Sequence, residues 1–333
     1  MELFDCTLRD GANVVGKGFS AKLTRMMIEG LLKNNIKKIE FGNCLGLGAY
    51  DANNAIAPLT DAEYCDLVQP YLGKGEIGMF MGVKNANEHF VSYGASRGLK
   101  FLRIGANAGD GKTAINGIKL VKKYGMKCRY SMMKGYILSA TDLANEARML
   151  EDAGLDAITI MDSAGTMRPD MVGEYVAAMT KKVSIPVGFH GHNNLGLSVA
   201  NAMTAFEAGA SEADCGLMGM ARSAGNCATE LIAAAMQQQG RLEYVNLLGL
   251  LHFIHDELEP AMEQEKSGFK PPVEPLDLVY GYAGCHSSFA KLFIDIAEEQ
   301  KVDLYQLIIE VSKINRKNPS EALIYEVSKQ LKR

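Results

Sequence analysis

Two imidazoles two residues apart, His190 and His192 in "FHGHNNLG" (189–196), form the most suggestive chemical pair in this chain. On a strand, residues i and i+2 point to the same face, so both rings can converge on one point. Near the N-terminus, "DCTLRDG" (5–11) sets Arg9 beside Asp10 on a glycine turn. Taken alone, an adjacent Arg–Asp pair reads as a surface turn with a salt bridge. A third stretch, "ARSAGNCATE" (221–230), contributes Asn226. A carboxylate, two imidazoles and an amide oxygen, with positions left open, suit a catalytic divalent ion such as Mn²⁺, Mg²⁺, Fe²⁺ or Zn²⁺. In that reading Asp10, His190, His192 and Asn226 are the ligands, and Arg9 faces a substrate held at the ion.

These residues are far apart in sequence, so the elements between them must bring them together. Eight strand-like runs alternate with helical stretches: 3–7, 37–42, 76–83, 99–106, 127–133, 157–163, 186–192 and 213–220. The intervening segments 20–34, 141–154 and 198–210 carry apolar residues at helical period. Ser20, Thr141 and Ser198 are expected as N-caps, with Gly154 and Gly209 as stops. Strands alternating with helices imply parallel pairing, and eight such units fit a (β/α)₈ TIM barrel. A doubly wound sheet would carry a G-x-G-x-x-G turn after its first strand, and "LRDGANVVGKG" does not fit it. The barrel is expected over 1–238, and 239–333 as a C-terminal helical extension. In such a barrel, Arg9 and Asp10 follow strand one, the histidines end strand seven and Asn226 follows strand eight. All would lie at the C-terminal face, where barrel enzymes place their chemistry.

Composition narrows the class. The 333 residues are 47% hydrophobic and 22% charged, with a formal net charge of −4. That balance argues against a nucleic-acid partner. No apolar run approaches the roughly 20 residues of a membrane span, and the N-terminus lacks a signal-peptide profile. Seven cysteines without a CxxC pair read as reduced thiols of a cytoplasmic protein.

Together, "DCTLRDG", "HGHNNLG" and "AGN" resemble the signatures of the DRE-TIM metallolyase superfamily, in its order and spacing. The resemblance implies that Asp10, His190 and His192 bind a divalent metal, with Asn226 in or beside its shell. Mn²⁺ or Mg²⁺ stand first, with Zn²⁺, Fe²⁺ or Co²⁺ as alternatives. It also implies that Arg9 stabilises an enolate. "GYAGCHSSFAKLF" (281–293) is similar to a segment of the 4-hydroxy-2-oxovalerate aldolases, the pyruvate aldolase branch. The implied activity is C–C bond cleavage or formation next to a 2-oxoacid through a metal-bound enolate, giving pyruvate and an aldehyde. Two alternatives stand beside it: a Claisen-type acyl-CoA synthase and a non-catalytic metal-binding relative. The branch further implies an acylating aldehyde dehydrogenase as partner, and a homodimer is the default assembly.

Two positions depart from that branch. Its catalytic His, three residues after the metal Asp, is Asn13 here, and an amide cannot act as a general base. Its Tyr before SSF is His286, an imidazole suited to take over the proton transfer. Substrate contacts are expected from Ser163 after strand six, from Arg222 toward a distal acidic group, and from Glu40, mainly by orienting Arg9. Asp162 matches the family's DSxG stretch. Arg103, Tyr130 and Lys84 sit near the expected mouth and read equally as ion-pair or core residues. Met79, Met81, Met132 and Met133 fall on strands, where some are expected to line an apolar pocket.

Overall fold

In the computed structural model, eight parallel strands close into one barrel in sequence order, β8 pairing back onto β1. Described are residues 1–50, 57–265, 268–271, 274–285, 287–315 and 318–332. The strands are β1 (Glu2–Asp5), β2 (Lys38–Phe41), β3 (Glu76–Gly82), β4 (Phe101–Asn107), β5 (Lys127–Met133), β6 (Ala157–Asp162), β7 (Val187–Gly191) and β8 (Glu212–Cys215). Between them run α1 (Ala21–Lys33), α2 (Asp61–Val68), α3 (Glu88–Ser96), α4 (Ile115–Lys123), α5 (Ala140–Asp152), α6 (Pro169–Lys182), α7 (Ser198–Glu207) and α8 (Thr229–Gln237). All eight expected strands are present.

The eighth is shorter than its apolar run suggests. Past Cys215 the chain turns, with Met218 at φ 58°, and its amides find side chains instead of a ladder: Leu217 N–H donates to Thr7 Oγ1 at 2.7 Å and Met218 N–H to Glu230 at 3.0 Å. Two caps also differ from expectation. Ser20 caps α1 through Leu23 N–H, as its sequence position suggests. The cap of α5 is Ser139, two residues before Thr141, accepting from Asp142 N–H at 3.1 Å. Ser198 is the first residue of α7, and Asn193 Oδ1 accepts from both its N–H and its hydroxyl. Gly154 and Gly209 follow their helices at φ 102° and 104°, as helix stops should.

Polar groups fill much of the barrel lumen. Arg129 on β5 stacks over Phe4 and Phe101 and pairs with Glu76 and Glu212, plugging the N-terminal end. One layer higher, Arg103 on β4 bridges Asp214 on β8 and Glu40 on β2, with its own guanidinium 4.8 Å from the Phe4 ring. These contacts join strands that are not neighbours, so they cross the lumen. Leu, Ile, Val and Met side chains are concentrated instead between strands and helices, in one continuous core.

Beyond α8 come α9 (Leu247–His252), a π-helical segment (Phe253–Leu258), α10 (Glu259–Gln264), α11 (Pro275–Ala283), α12 (Ala290–Gln300), α13 (Leu304–Asn315) and α14 (Glu321–Leu331). They pack on the barrel's outer helices: α9 and α11 meet α8, and Gln238 donates to the Tyr282 carbonyl at 2.9 Å. Among the described residues, no helix is long and apolar enough to cross a membrane.

Candidate metal centre

Asp10, His190 and His192 come together at the C-terminal mouth of the barrel. Their candidate ligand atoms lie within 4.8 Å of one another. Asp10 Oδ2 is 3.5 Å from His190 Nε2 and 3.7 Å from His192 Nε2. The alternation of β7 aims both imidazoles inward, their ring centroids 5.2 Å apart. Asp10 reaches the same point because Cys6 O accepts three amides in succession, from Arg9, Asp10 and Gly11, curling the chain back over β1. A Cβ on Gly11 would press on Met220 and Thr7 at 3.1–3.3 Å, so glycine lets this turn lie close to the β8 loop.

Asn226 donates its amide to Asp10 Oδ2 at 2.9 Å, and its Oδ1 has no hydrogen-bond partner among the described residues. His190 Nε2, which faces Asp10, is likewise buried without a hydrogen-bond partner, whereas in His192 the unpartnered nitrogen is Nδ1 and Nε2 is the one facing Asp10. Buried acceptors left unpaired are costly unless a ligand completes them. Two imidazole nitrogens, a carboxylate and an orphaned amide oxygen therefore fit a divalent cation by the chemistry of the donors. Asn13 lies beside them, donating from Nδ2 to the Asp10 carbonyl at 2.8 Å and to its Oδ1 at 3.3 Å. It is a clamp on Asp10.

The Arg9–Asp10 pair is a salt bridge of 3.1 Å, but not a surface one: the two residues are 5% and 2% exposed. Glu40 Oε1 accepts from Arg9 Nε at 2.6 Å, and the Phe80 ring lies 4.9 Å beneath the guanidinium. Glu40, on β2, thus holds Arg9 by its Nε. Arg9 Nη2 remains unpartnered among the described residues.

Charge balance sets the protonation of the centre. Burial alone would raise the Asp10 pKa, but Arg9 and the two histidines outweigh it and hold the carboxylate well below its usual range. Burial likewise opposes charge on His190, yet the neighbouring carboxylates of Asp10 and Asp214 raise its pKa overall. His192 is pushed down to about 4 by burial and by the charge of His190. Asp214 is held at about 2, burial being outweighed by Arg103 and His190. Sequence reading passed over Asp214. Its signal was a carboxylate inside a strand of small apolar residues, in register with His190.

The other expected residues are dispersed. Ser163 Oγ accepts from Lys134 N–H at 2.9 Å, so it shapes the mouth between β5 and β6. Asp162 is a loop anchor, its carboxylate accepting from Thr166 and Met167 N–H at 3.0 and 2.8 Å and its carbonyl from His192 N–H at 3.2 Å. Arg222 is exposed and lines a cavity of ≈ 560 Å³ together with Asn13 and Lys270. Arg103 is a lumen ion-pair residue and Tyr130 a core residue, whereas Lys84 is exposed at the rim of a second cavity. Met79, Met81 and Met132 are fully buried core; Met133 lines that second cavity. His286 lies outside the described residues.

Fold and site define a TIM-barrel enzyme of the carbon–carbon lyase class. A sequence profile described as HMGL-like matches residues 1–255, and the chain belongs to that family. The 4-hydroxy-2-oxovalerate aldolase of Carboxydothermus hydrogenoformans is 30% identical over 331 residues, covering 99% of this chain and 97% of that one. The Desulfitobacterium hafniense protein of the same name is 31% identical over 313 residues, covering 94% and 92%. Among solved structures, the HMG-CoA lyase of Bacillus subtilis superposes with a TM-score of 0.68 at 18% identity, over 83% of this chain and 97% of that one. The carboxyl transferase domain of Rhizobium etli pyruvate carboxylase, solved with 3-bromopyruvate, gives 0.69 at 16% identity, over 99% and 61%. At those identities the structures share the fold.

Proposed function

We propose that this chain is a divalent-metal-dependent aldolase acting on a 2-oxoacid, cleaving a 4-hydroxy-2-oxoacid to pyruvate and an aldehyde or joining the two. The observation that carries this reading is Arg9. A buried guanidinium, fixed by Glu40 and Phe80, keeps one Nη free beside the Asp10–His190–His192 cluster. A purely structural metal site has no use for it. A divalent ion held by Asp10, His190 and His192, with Asn226 beside it, would polarise the 2-oxo group as a Lewis acid.

The protein's own groups do the rest. Arg9 Nη2 is placed to hold the negative charge that develops on the enolate oxygen, and its carboxylate and aromatic partners spare it any reorganisation as that charge appears. Asn13 is engaged with Asp10; it can orient a hydroxyl or water but cannot accept the proton of a 4-hydroxyl. That proton is assigned to His286. Arg222 and Lys270, which line their cavity with no carboxylate among the described residues, suit an anionic distal group of the substrate. The same cationic cavity is what favours the second reading, a Claisen-type synthase with an acyl-CoA donor. Mn²⁺ or Mg²⁺ is the ion proposed, the cytoplasm the compartment and a homodimer the assembly. The helices α11–α14 are the proposed face for an acylating aldehyde dehydrogenase.

The test is hydrogen exchange at C3 of pyruvate in D₂O, followed by NMR with and without Mn²⁺ or Mg²⁺. Metal-dependent exchange that Asp10→Ala abolishes supports enolate chemistry. A folded, metal-loaded protein that exchanges nothing overturns the pyruvate reading, and thiol release from acyl-CoA with a 2-oxoacid would then support the synthase.

A further inference from the structure

The last residues of β3, β4 and β5, which are Gly82, Asn107 and Met133, border a cavity of ≈ 710 Å³ at the barrel mouth. Strand register shows which face they occupy. Gly82 pairs with Gly105 and Asn107 with Met133, while Gly105 and Asn107 stand two and four residues beyond Arg103. Side chains two apart share a face, and Arg103 crosses the lumen to Asp214. These four positions therefore face the lumen, on the wall opposite His190 and His192.

Phe80 lies between Arg9 and Gly105, which borders this cavity. One face of its ring carries the Arg9 guanidinium. Its edge lies against Gly105, where a Cβ would come within 2.4 Å of ring carbons. Leu45, Val83, Ala106 and Met133 make the cavity walls apolar, and Lys84, Asn107 and Asp110 form a polar part of the lining.

The two glycines are there for different reasons. Gly105 makes room for Phe80. Gly82 has φ −66° and ψ 146°, which any residue adopts, and a Cβ there would meet nothing within 4 Å. Neither backbone nor packing requires glycine at 82; its missing side chain leaves open space in the cavity.

The curated relatives are named for 4-hydroxy-2-oxovalerate, whose C3–C4 cleavage gives pyruvate and the two-carbon acetaldehyde. We propose that this chain takes an aliphatic aldehyde longer than acetaldehyde, its chain lying in the cavity bounded by Gly82, Gly105 and Met133, and that Gly82 sets the length accepted. The inference rests on the aldolase reading above. In the addition direction pyruvate C3 gives up a proton, the electron pair of that C–H bond forms the C3–C4 bond, the aldehyde π pair moves to oxygen, and that oxygen takes up one proton, so the protons balance and no co-reactant is needed. Apolar walls favour each methylene they bury.

The experiment compares acetaldehyde, butanal and hexanal as partners of pyruvate in aldol addition. The expected result is a kcat/KM that rises about fourfold per added methylene, the equivalent of about 0.8 kcal/mol for each CH₂ buried. Gly82→Leu should reverse that order, and Gly82→Ala, a single carbon placed in open space, should flatten it. A flat or falling series in the wild type, or an order unchanged in Gly82→Leu, overturns the proposal. A second readout needs no turnover: saturation-transfer NMR with 1-hexanol on the metal-loaded protein. Hexanol binding that Gly82→Leu abolishes supports the cavity even if pyruvate shows no C3 exchange, in which case only the pyruvate reading fails. Pyruvate exchange with no hexanol binding and no chain-length preference overturns the cavity and leaves the aldolase reading intact.

Discussion

His190 Nδ1 donates to Asp214 Oδ2 at 3.0 Å, which fixes the tautomer of the imidazole and leaves Nε2 toward Asp10. A carboxylate behind a ligating histidine raises its basicity and holds its plane. Asp214 can do this at the barrel's centre because Arg103 neutralises it and Glu40 in turn balances Arg103. The chain Asp214–Arg103–Glu40–Arg9 runs under the metal centre and ends at the residue assigned to the enolate.

Breaking that chain at Arg103 removes a cation from two buried carboxylates, leaving Glu40 only Arg9 and Asp214 only His190. Arg103→Met is expected to cost on the order of 3–5 kcal/mol, since removal of one partner leaves buried charge uncompensated. Urea denaturation of the apo-protein measures this, and a loss below about 1 kcal/mol would show that the lumen network is not what supports the site.

Arg9→Lys keeps a positive charge but loses the planar fork that engages Glu40 while leaving Nη2 free. Loss of one donor to a developing oxyanion typically lowers kcat by about 10²–10³-fold. Steady-state aldol kinetics should show that drop, with metal affinity by titration calorimetry changed far less.

Metal should stabilise the fold through Asp10. At a free Mn²⁺ concentration of 100 Kd, binding to the native state alone contributes about 2.7 kcal/mol. Differential scanning calorimetry of the wild type should show a metal-dependent rise in Tm, and Asp10→Ala should show none. A rise that survives in Asp10→Ala would place the ion elsewhere.

Two buried carboxylates away from the metal set a pH dependence. Asp5, held by Thr7 and Thr229, and Glu230, accepting from Met218 N–H, are each raised by burial to about 7. An acid raised in the folded state binds its proton there while the unfolded chain has released it. Their contribution to stability therefore falls as pH climbs from the unfolded value, near 4, to about 7, and is level above. Glu230→Gln removes that penalty. Relative to wild type it should gain on the order of 2 kcal/mol between pH 5 and pH 8, measured by denaturant melts. An equal difference at both pH values would show that Glu230 stays ionised in the folded protein.

Much of this was legible in the sequence. The eight βα alternations determined the barrel, because parallel strands buried on both faces need apolar runs and each crossover needs an amphipathic helix. That Asp10, His190 and His192 converge was readable because strand ends fix direction at i and i+2. What the sequence could not show was how contacts form across the lumen. Whether Arg103 and Asp214 are ion-pair partners depends on register between strands 111 residues apart, and no local pattern encodes that. The same holds for the burial of the Arg9–Asp10 pair, which looks like a surface turn until the loop after β8 covers it. The void at Gly82 is likewise tertiary: a glycine reads as a turn signal in one dimension, and only the packed neighbours reveal which glycine a fold requires and which one leaves space.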